Sequence, residues 1–425
     1  MSAIGQLLAR RIWDSRGRPT IEVEVLTKLG HRGRGIAPAG ASRGMREAVE
    51  LRDGGDAFGG FDVQKALRGL RDEIAPALLG LDVADQAGID ATLITLDGTP
   101  LKRRLGGNAL IAASLAVLHA AAAEARVPLW QHLAQGAPAR LPLPQVQIFG
   151  GGAHAGRRVD VQDFMVVPLA ARSFEQAMAA VAEVYRAAGV LMARRGPLAG
   201  VADEGGWWPA FTRNEDALDL LVQAIEAAGF VPGEDVGIAL DIAASEFGRA
   251  GRYTLALESR ELDSDALCEM LLRWTERYPI VSIEDPLAED DEAGFVAFTR
   301  AVAGRVQVVG DDYLVTNAAR VTGAAARAAC NAVLVKPNQA GTVTETRAAF
   351  DAARRAGLAT IVSARSGETE DVAIVHLATG WNAGQLKVGS FARSERMAKW
   401  NEGLRIETGI DAAVGYFGAA ALARS

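Results

Sequence analysis

Cysteine is scarce in this chain, which contains two cysteines among 425 residues. Cys268 and Cys330 are too few for a disulfide framework or a cysteine-rich zinc site, so we expect two buried thiols. Positive charge is limited as well, because 45 lysine and arginine residues are outnumbered by 52 aspartate and glutamate residues. The formal charge of -7 argues against broad binding to nucleic acid or to acidic membranes, and the expected partner is a small molecule.

Long hydrophobic runs are also missing. Residues 1–17 lack the apolar core and the small-residue cleavage site of a signal peptide. The longest stretch rich in alanine and leucine, residues 109–123, is too short to span a membrane and contains His119. We therefore expect a buried helix at this position and a protein of the reducing cytoplasm.

The length of the chain favours two domains, and 49% apolar with 23% charged residues is typical of globular proteins. Residues 20–27 alternate polar and apolar side chains, as a half-buried strand does, and apolar residues recur at helical spacing over residues 66–78. Proline and glycine cluster without periodicity in residues 134–144. We predict a smaller α+β domain over residues 1–138 and an α/β domain over residues 139–425.

In the second domain, short β-rich runs alternate with alanine-rich helical stretches, and each run leads into a charged residue. The runs are residues 237–240, 280–283, 306–309 and 333–335. The charged residues are Asp241, Glu284, Asp311 and Lys336, followed by Arg365, at separations of 43, 27, 25 and 29 positions. This spacing of about one βα unit predicts a closed parallel barrel, whose strands carry their functional residues at one mouth. The alternative is that these are ordinary strand-end charges that face solvent.

Three carboxylates without a nearby cysteine or histidine favour a hard cation such as Mg²⁺ over zinc or copper. A lysine that faces this cation would have a lowered pKa, through like charge and partial burial, and could act as a neutral base. Lys336 is the candidate base, and the reaction that suits this arrangement is removal of a proton from the carbon next to a substrate carboxylate. Lys387 is expected at the same mouth as a partner for a carboxylate or oxyanion, unless it is a surface lysine.

Motifs in the same order as in enolases run through nearly the whole chain. They are WDSRGRPTIEVEV, GASRG with EAVELRDGG, GGGAHAGRRVDVQDFMVVP, ADEGG, ALDIAASEF, YPIVSIEDPLAEDD, VGDD, LVKPNQAGT, SARSGETED and GQLKVGSFARSER. The chain therefore resembles the enolase family. The resemblance implies an α/β fold, with an enolase-type (β/α)8 barrel preceded by a smaller α+β N-terminal domain. It also implies one or two Mg²⁺ ions in each active site and a homodimer or larger homo-oligomer.

The resemblance implies roles for the matched residues at the proton-abstracting side of the site. Asp241, Glu284 and Asp311 would bind the first Mg²⁺. Lys336 would be the base, and Lys387 would contact the substrate carboxylate. The implied substrate is a small phosphorylated or phosphonylated carboxylic acid.

Other matched residues would act on the leaving group and the phosphate. Glu204 would protonate the leaving hydroxyl, and His154 would line the same pocket. Arg365 and Ser366 would hold the phosphate, because a planar guanidinium suits bidentate contact. Ser42 would close with its loop over a second Mg²⁺.

Several matched positions depart from the family around the leaving group. Ala364 stands where enolases have a histidine, and Asp163 stands where they have the second glutamate near the leaving hydroxyl. The side chain of Asp163 is one methylene shorter, so we expect it to act on the same atom only through water or a shifted backbone. Trp207 and Trp208 stand where the family usually has one aromatic and then a small residue, which indicates either a reshaped pocket wall or core packing.

Arginines are also added in the two loops that resemble the mobile loops of enolases. They are candidates for binding a second or more highly charged anion, and the alternative is a solubilising surface role. The four residues are Arg43, Arg46, Arg157 and Arg158.

Three functions are compatible with these observations. The departures favour a specialised paralogue such as carboxyphosphonoenolpyruvate synthase of phosphonate biosynthesis, which keeps the proton chemistry and the phosphate site. The first alternative is an ordinary enolase, which interconverts 2-phosphoglycerate and phosphoenolpyruvate. The second is a non-catalytic enolase-like protein, and the intact metal ligands and base argue against it.

Overall fold

The N-terminal domain begins with an antiparallel sheet of three strands in the order β1-β2-β3. The computed structural model describes residues 2–409 and 414–423. The strands are β1 (Ile4–Trp13), β2 (Pro19–Thr27) and β3 (Arg32–Ile36). The prediction of a strand over residues 20–27 is confirmed, since β2 covers this range.

Five helices follow the sheet, and the longest of them forms the core of the domain. They are α1 (Gln64–Gly69), α2 (Ala75–Leu78), α3 (Gln86–Asp97), α4 (Gly107–Ala125) and α5 (Leu129–Ala134), with a π-helical turn (Leu70–Ile74) between α1 and α2. By length and composition α4 could cross a membrane, but 78% of its most apolar window is buried inside the protein. The prediction of a buried helix over residues 109–123 is therefore confirmed.

The remaining chain forms a closed barrel of eight strands surrounded by helices. The barrel strands are β5 (Leu143–Gly150), β6 (Asp163–Pro168), β7 (Val236–Asp241), β11 (Ile280–Glu284), β12 (Gln307–Gly310), β13 (Ala332–Val335), β14 (Ala359–Ser363) and β15 (Gly384–Ser390). Short strands outside the barrel are β4 (Arg140–Leu141), β8 (Gly248–Arg249), β9 (Arg252–Leu255), β10 (Arg260–Asp263) and β16 (Gly415–Tyr416). The helices are α6 (Phe174–Arg195), α7 (Glu215–Ala227), α8 (Ser264–Arg277), α9 (Glu292–Val302), α10 (Ala318–Ala326), α11 (Pro337–Ala340), α12 (Val343–Arg355), α13 (Ala373–Gly380) and α14 (Ser394–Glu407).

One barrel strand runs against the predicted direction. β6 is antiparallel to both of its neighbours, β5 and β7, whereas the other neighbouring pairs in the barrel are parallel. The prediction of an all-parallel barrel was therefore wrong at this strand. The reversal has a consequence for the site, because the first residue of β6, Asp163, lies beside Gly150 and Asp241 at the ends of β5 and β7.

The other sequence predictions for this half agree with the structure. The four predicted β-rich runs correspond to β7, β11, β12 and β13. Cys268 and Cys330 are both free and buried, as predicted. The predicted domain boundary between residues 138 and 139 falls between α5 and β4 and stays a prediction.

Candidate active site

Charged side chains converge at the mouth of the barrel, where the parallel strands end. Asp241 and Glu284 are the last residues of β7 and β11, while Asp311 and Lys336 directly follow β12 and β13. The ammonium of Lys387, from β15, lies 2.8 Å from Asp241 Oδ2 and 2.8 Å from Glu284 Oε2. Lys336 Nζ contacts Asp311 Oδ2. The structure thus brings together Asp241, Glu284, Asp311 and Lys336, as their spacing predicts, and Lys387 joins them at the same mouth.

Burial and neighbouring charges shift the pKa values of this group strongly. Burial, followed by the charge of Asp241, raises the pKa of the Glu284 carboxyl well above its usual range. Burial opposes the charge of Lys387, but the carboxylates of Asp241 and Glu284 outweigh it and raise the pKa of this lysine. Burial lowers the pKa of Lys336, but contact with Asp311 outweighs burial and the pKa is raised. The lowered pKa expected of a lysine that faces a bound cation stays a prediction.

The carboxylates at the mouth have the chemistry of a divalent-cation site. Glu284 Oε1 is buried and has no hydrogen-bond partner within the described part of the chain. Side-chain amides orient the other two carboxylates, since Gln339 donates to Asp311 Oδ1 at 2.9 Å and Gln162 donates to Asp241 Oδ2 at 3.1 Å. Such an unpartnered, buried anionic oxygen is costly unless a cation meets it. The residues present therefore fit a bound metal ion.

The charge balance of the cluster supports the same conclusion. Two lysines and one histidine face five carboxyl groups, so negative charge exceeds positive charge by two when all of these groups are ionised, and the raised pKa of Glu284 shows how strongly this excess is opposed without a further cation. The cationic residues are His154, Lys336 and Lys387, and the acidic residues are Asp163, Glu204, Asp241, Glu284 and Asp311. Two compact groups of potential ligands also occur here: Asp285 with Asp311 and Asp312, and His154 with Asp163 and Glu204.

A second group of ionisable residues adjoins the first, since Asp163 Oδ2 lies 3.4 Å from Lys387 Nζ. His154 Nε2 is 3.0 Å from Asp163 Oδ1, and His154 Nδ1 is 3.5 Å from Glu204 Oε1. Burial lowers the pKa of His154, but the two carboxylates outweigh it and raise the pKa well above its ordinary value. Burial likewise opposes ionisation of Asp163 and Glu204, but the charge of His154 lowers both carboxyl pKa values. The shorter side chain of Asp163 thus still reaches this histidine directly.

Gln147 belongs to this group, and sequence reasoning missed it. The side chain is fully buried, its amide nitrogen donates to Asp163 Oδ1, and its carbonyl oxygen accepts from the Gly206 amide at 2.8 Å. A signal was available, because Gln145 and Gln147 interrupt the apolar strand β5 two residues apart. Residues at this spacing point to the same face of a strand, which in a barrel can be the interior.

The predicted phosphate-binding residues lie under the N-terminal loop. Arg365 is buried, and its guanidinium contacts Glu47 Oε2 and the carbonyl oxygen of Ser42, each at 2.9 Å. Burial opposes its charge, but Glu47 outweighs burial and raises the pKa of Arg365. Ser366 Oγ is 3.3 Å from His154 Nδ1. The loop that contains Ser42 therefore covers Arg365 at the edge of the site.

Two buried charged residues of this region were also outside the sequence predictions. Glu47 pairs with Arg365, as described above. Arg396 is fully buried and donates to the carbonyl oxygens of Arg365 at 2.7 Å and Ser366 at 2.6 Å. Neither contact has a sequence signal, because each joins parts of the chain that meet only in the folded protein.

Residues from these groups line a cavity with about 310 Å³ of empty space, part of it open to solvent. His154 was expected to line this cavity, but it is not one of the lining residues and lies behind Glu204 and Ser366, which it contacts. Ala364 forms part of the wall, next to Arg365. The lining residues are Ser42, Gln162, Asp163, Glu204, Asp241, Lys336, Ser363, Ala364, Arg365, Ser366, Lys387, Val388 and Gly389.

The four loop arginines do not join this lining. Each is partly exposed and contacts another side chain of the protein, which holds the guanidinium outside the cavity. Arg43 lies 3.6 Å from Glu50, Arg46 lies 3.6 Å from Glu289, Arg157 lies 2.8 Å from Glu246, and Arg158 stacks over the ring of Trp208 at 4.4 Å. The structure therefore does not bring them together with the other predicted site residues.

Comparisons with known proteins agree for both halves of the chain. Residues 4–133 match the family described as "Enolase, N-terminal domain", and residues 138–425 match "Enolase, C-terminal TIM barrel domain". The chain is 48% identical to "Enolase 1" of Desulfitobacterium hafniense, over 97% of this chain and 95% of that protein. It is 47% identical to "Enolase" of Acidothermus cellulolyticus, over 100% of this chain and 98% of that protein.

Proposed function

The chain belongs to the enolase family and is a carbon–oxygen lyase, and from this premise we propose that it interconverts 2-phosphoglycerate with phosphoenolpyruvate and water. The observation that carries the proposal is the pair of buried lysines at the mouth. Lys336 and Lys387 lie among the carboxylates of Asp241, Glu284 and Asp311, while Glu204 lines the same cavity and contacts His154. This arrangement provides a base on one side of a substrate and an acid on the other.

In the proposed reaction, Lys336 accepts the proton from the carbon next to the substrate carboxylate. Its contact with Asp311 has to loosen first, because that contact keeps the ammonium protonated. Lys387 stays charged and faces the carboxylate on which negative charge develops. Asp241, Glu284 and Asp311 would hold Mg²⁺, which when bound supplies further positive charge to that carboxylate.

The other side of the cavity would complete the elimination. Glu204 passes a proton to the leaving hydroxyl, and because His154 lowers the pKa of Glu204, that proton comes from His154, which contacts both Glu204 and Asp163. Arg365 and Ser366 bind the phosphate, which requires the guanidinium to exchange part of its contact with Glu47 for the phosphate oxygens. Ser42 would bind a second Mg²⁺ from the covering loop.

The specialised-paralogue hypothesis has less support than the ordinary enolase reaction. Both relatives named above are enolases, and phosphonate biosynthesis has no support among these similarities. Asp163 retains direct contact with His154 despite its shorter side chain. Ala364 remains the specific observation in favour of the paralogue, because it contributes no proton donor to the cavity wall.

A phosphorus NMR experiment tests the proposal. We would incubate the purified protein with Mg²⁺ and 2-phosphoglycerate, with and without phosphonoformate. Fast formation of phosphoenolpyruvate without the second anion is the expected result. Conversion only in the presence of phosphonoformate would favour the paralogue, and no conversion under either condition would contradict both.

A paired substitution tests whether the family departures limit the reaction. The double variant Ala364→His with Asp163→Glu restores the family residues on the leaving-group side. We expect it to raise the dehydration rate by about tenfold, less than the roughly 10²–10⁴-fold contribution of a positioned acid or base, because Glu204 and His154 are already present. An unchanged or lower rate would show that the natural residues are already adapted to this step.

We also propose a cytoplasmic location and a homodimer or larger homo-oligomer, as the family membership suggests. Light scattering coupled to gel filtration measures the oligomeric state directly.

A further inference from the structure

Trp208 connects the two loops that carry His154 and Glu204. His154 lies in a short 3₁₀ turn, Gly152–Ala155, and Glu204 lies in the loop between α6 and α7. The indole Nε1 of Trp208, from the Glu204 loop, donates to the carbonyl oxygen of Ala155, the residue after His154. A second bond joins the same loops, since the Asp203 amide donates to the His154 carbonyl oxygen at 3.1 Å.

The Arg158 guanidinium lies over the Trp208 ring. Its centre lies 4.4 Å from the ring centroid, which is a cation–π geometry. Arg157, its neighbour, anchors the same segment by binding Glu246 at 2.8 Å. These contacts account for two of the added loop arginines without any contact to substrate.

The connection between the two loops affects the reaction because it sets the distance between His154 and Glu204. His154 Nδ1 is 3.5 Å from Glu204 Oε1, at the long limit of a hydrogen bond. Hydrogen bonds weaken steeply beyond this length, so a small displacement of either loop would separate the two groups. The Glu204 loop is itself anchored, because the Ser390 amide donates to the Glu204 carbonyl oxygen at 2.9 Å.

Trp207 offers a natural comparison within the same loop. Its indole Nε1 also donates to a backbone carbonyl, that of Tyr185 in α6, at 3.0 Å. Its ring stacks on the Tyr185 ring at 4.9 Å between centroids. Trp207 is therefore anchored to α6, whereas the Trp208 side chain is anchored to the turn of His154.

We propose that Trp208 is a positioning residue that fixes the His154 turn against the Glu204 loop, with Arg158 holding its ring in place. The proposal rests on the proposed enolase function, in which His154 and Glu204 act on the leaving hydroxyl. Trp208 itself need not touch the substrate.

The test compares Trp208→Phe with the matched control Trp207→Phe in the full-length protein. Each variant removes one indole donor to one backbone carbonyl and keeps an aromatic ring. We expect Trp208→Phe to lower kcat for 2-phosphoglycerate about tenfold while KM stays within about twofold, because positioning rather than binding is lost. Trp207→Phe should change both constants by less than about twofold.

Hydrogen exchange followed by mass spectrometry gives a reading that does not depend on activity. Peptides covering residues 152–158 should exchange faster in Trp208→Phe than in the natural protein, and at the natural rate in Trp207→Phe. Arg158→Gln, which removes the cation over the ring and retains the indole donor, should accelerate exchange in the same peptides.

Three results would overturn the proposal. The first is hydrogen exchange in residues 152–158 of Trp208→Phe at the rate of the natural protein. The second is faster exchange in this variant with an unchanged kcat, and the third is an equal effect on exchange and kcat in Trp208→Phe and Trp207→Phe. If the natural protein does not convert 2-phosphoglycerate, the proposed function fails. The exchange comparison then still decides whether Trp208 holds the turn.

Discussion

At the scale of single residues, buried ionisable side chains set the character of the site. His154 is the clearest example, because it lies between the carboxylates of Asp163 and Glu204 and is itself fully buried. Its pKa is raised in the folded protein above the ordinary value of about 6.5. Its contribution to stability is therefore complete below about pH 6.5 and is lost as pH rises through the folded-state pKa.

His154→Gln tests this linkage. We expect the difference in the free energy of unfolding between the natural protein and His154→Gln to be largest near pH 6.5 and to shrink as pH rises. Urea unfolding at a series of pH values between about 6 and 9 measures this difference. His31→Gln, which changes a histidine in the turn between β2 and β3, is the control. A difference that does not vary with pH would contradict the assigned shift.

The sequence identifies most residues of the candidate site but not their supporting contacts. Asp241, Glu284 and Lys336 could be predicted because each follows an apolar strand, where a charge is unusual. Glu47 and Arg396 could not, because the partners of a charged side chain depend on distant segments that meet only after folding. The direct contact of Lys336 with Asp311, which raises the pKa of this lysine, could not be predicted either.

At the scale of secondary structure elements, the contact between β3 and α4 sets the packing of the N-terminal domain. A Cβ atom added to Gly33 would collide with backbone atoms of Ala116 and Ala120 in α4. Gly35 is similarly close to the backbone of Ala112. The absence of a side chain at Gly33 and Gly35 therefore allows the sheet to lie directly on the helix.

Gly33→Ala should destabilise the protein by about 2 kcal/mol or more, because the collision involves rigid backbone and cannot be relieved by a rotamer change. Arg32→Ala on the same strand, whose side chain is exposed, is the control and should change stability by about 0.5 kcal/mol or less. Chemical denaturation of the two variants measures the effect. Equal stabilities would mean that β3 can move away from α4 at little cost.

The direction of β6 shows what the pattern of a strand leaves undetermined. An apolar run such as residues 164–167 predicts a buried strand, but the same side chains suit a parallel or an antiparallel neighbour. The direction follows from how β5 and β7 are connected to β6, which a local pattern does not contain. The reversal is what brings Asp163 to the mouth, at the beginning of its strand rather than at the end.

At the scale of the whole molecule, the site depends on both domains. Ser42 and Glu47 come from the N-terminal domain and contact Arg365 in the barrel. Away from the mouth, Lys102 binds Glu345 of α12 at 2.8 Å and joins the domains a second time. The two-domain architecture was predictable from length and pattern, and the family resemblance implied that the Ser42 loop closes over the site, but the ion pairs of Glu47 and Lys102 were not predicted.

Mg²⁺ should stabilise the whole protein, because it would compensate the negative charge of the buried cluster. A ligand that binds only the folded state at about 100 times its Kd adds about 2.7 kcal/mol, so we expect Tm to rise by several degrees. Calorimetry with excess Mg²⁺ and with EDTA measures the shift. Glu284→Gln should lose most of the Mg²⁺-dependent rise in Tm. Glu246→Gln, which changes a residue outside the cluster, should retain this rise. An unchanged rise in Glu284→Gln would place the metal elsewhere.

Proton exchange at the carbon next to the carboxylate of 2-phosphoglycerate tests the central claim most directly. In deuterated solvent with Mg²⁺, the natural protein should replace this proton with deuterium and form phosphoenolpyruvate. Lys336→Ala should slow both processes by at least about a thousandfold, while Lys102→Ala, which removes another buried lysine paired with a carboxylate, should slow neither. Exchange at the natural rate in Lys336→Ala would contradict the assignment of Lys336 as the base.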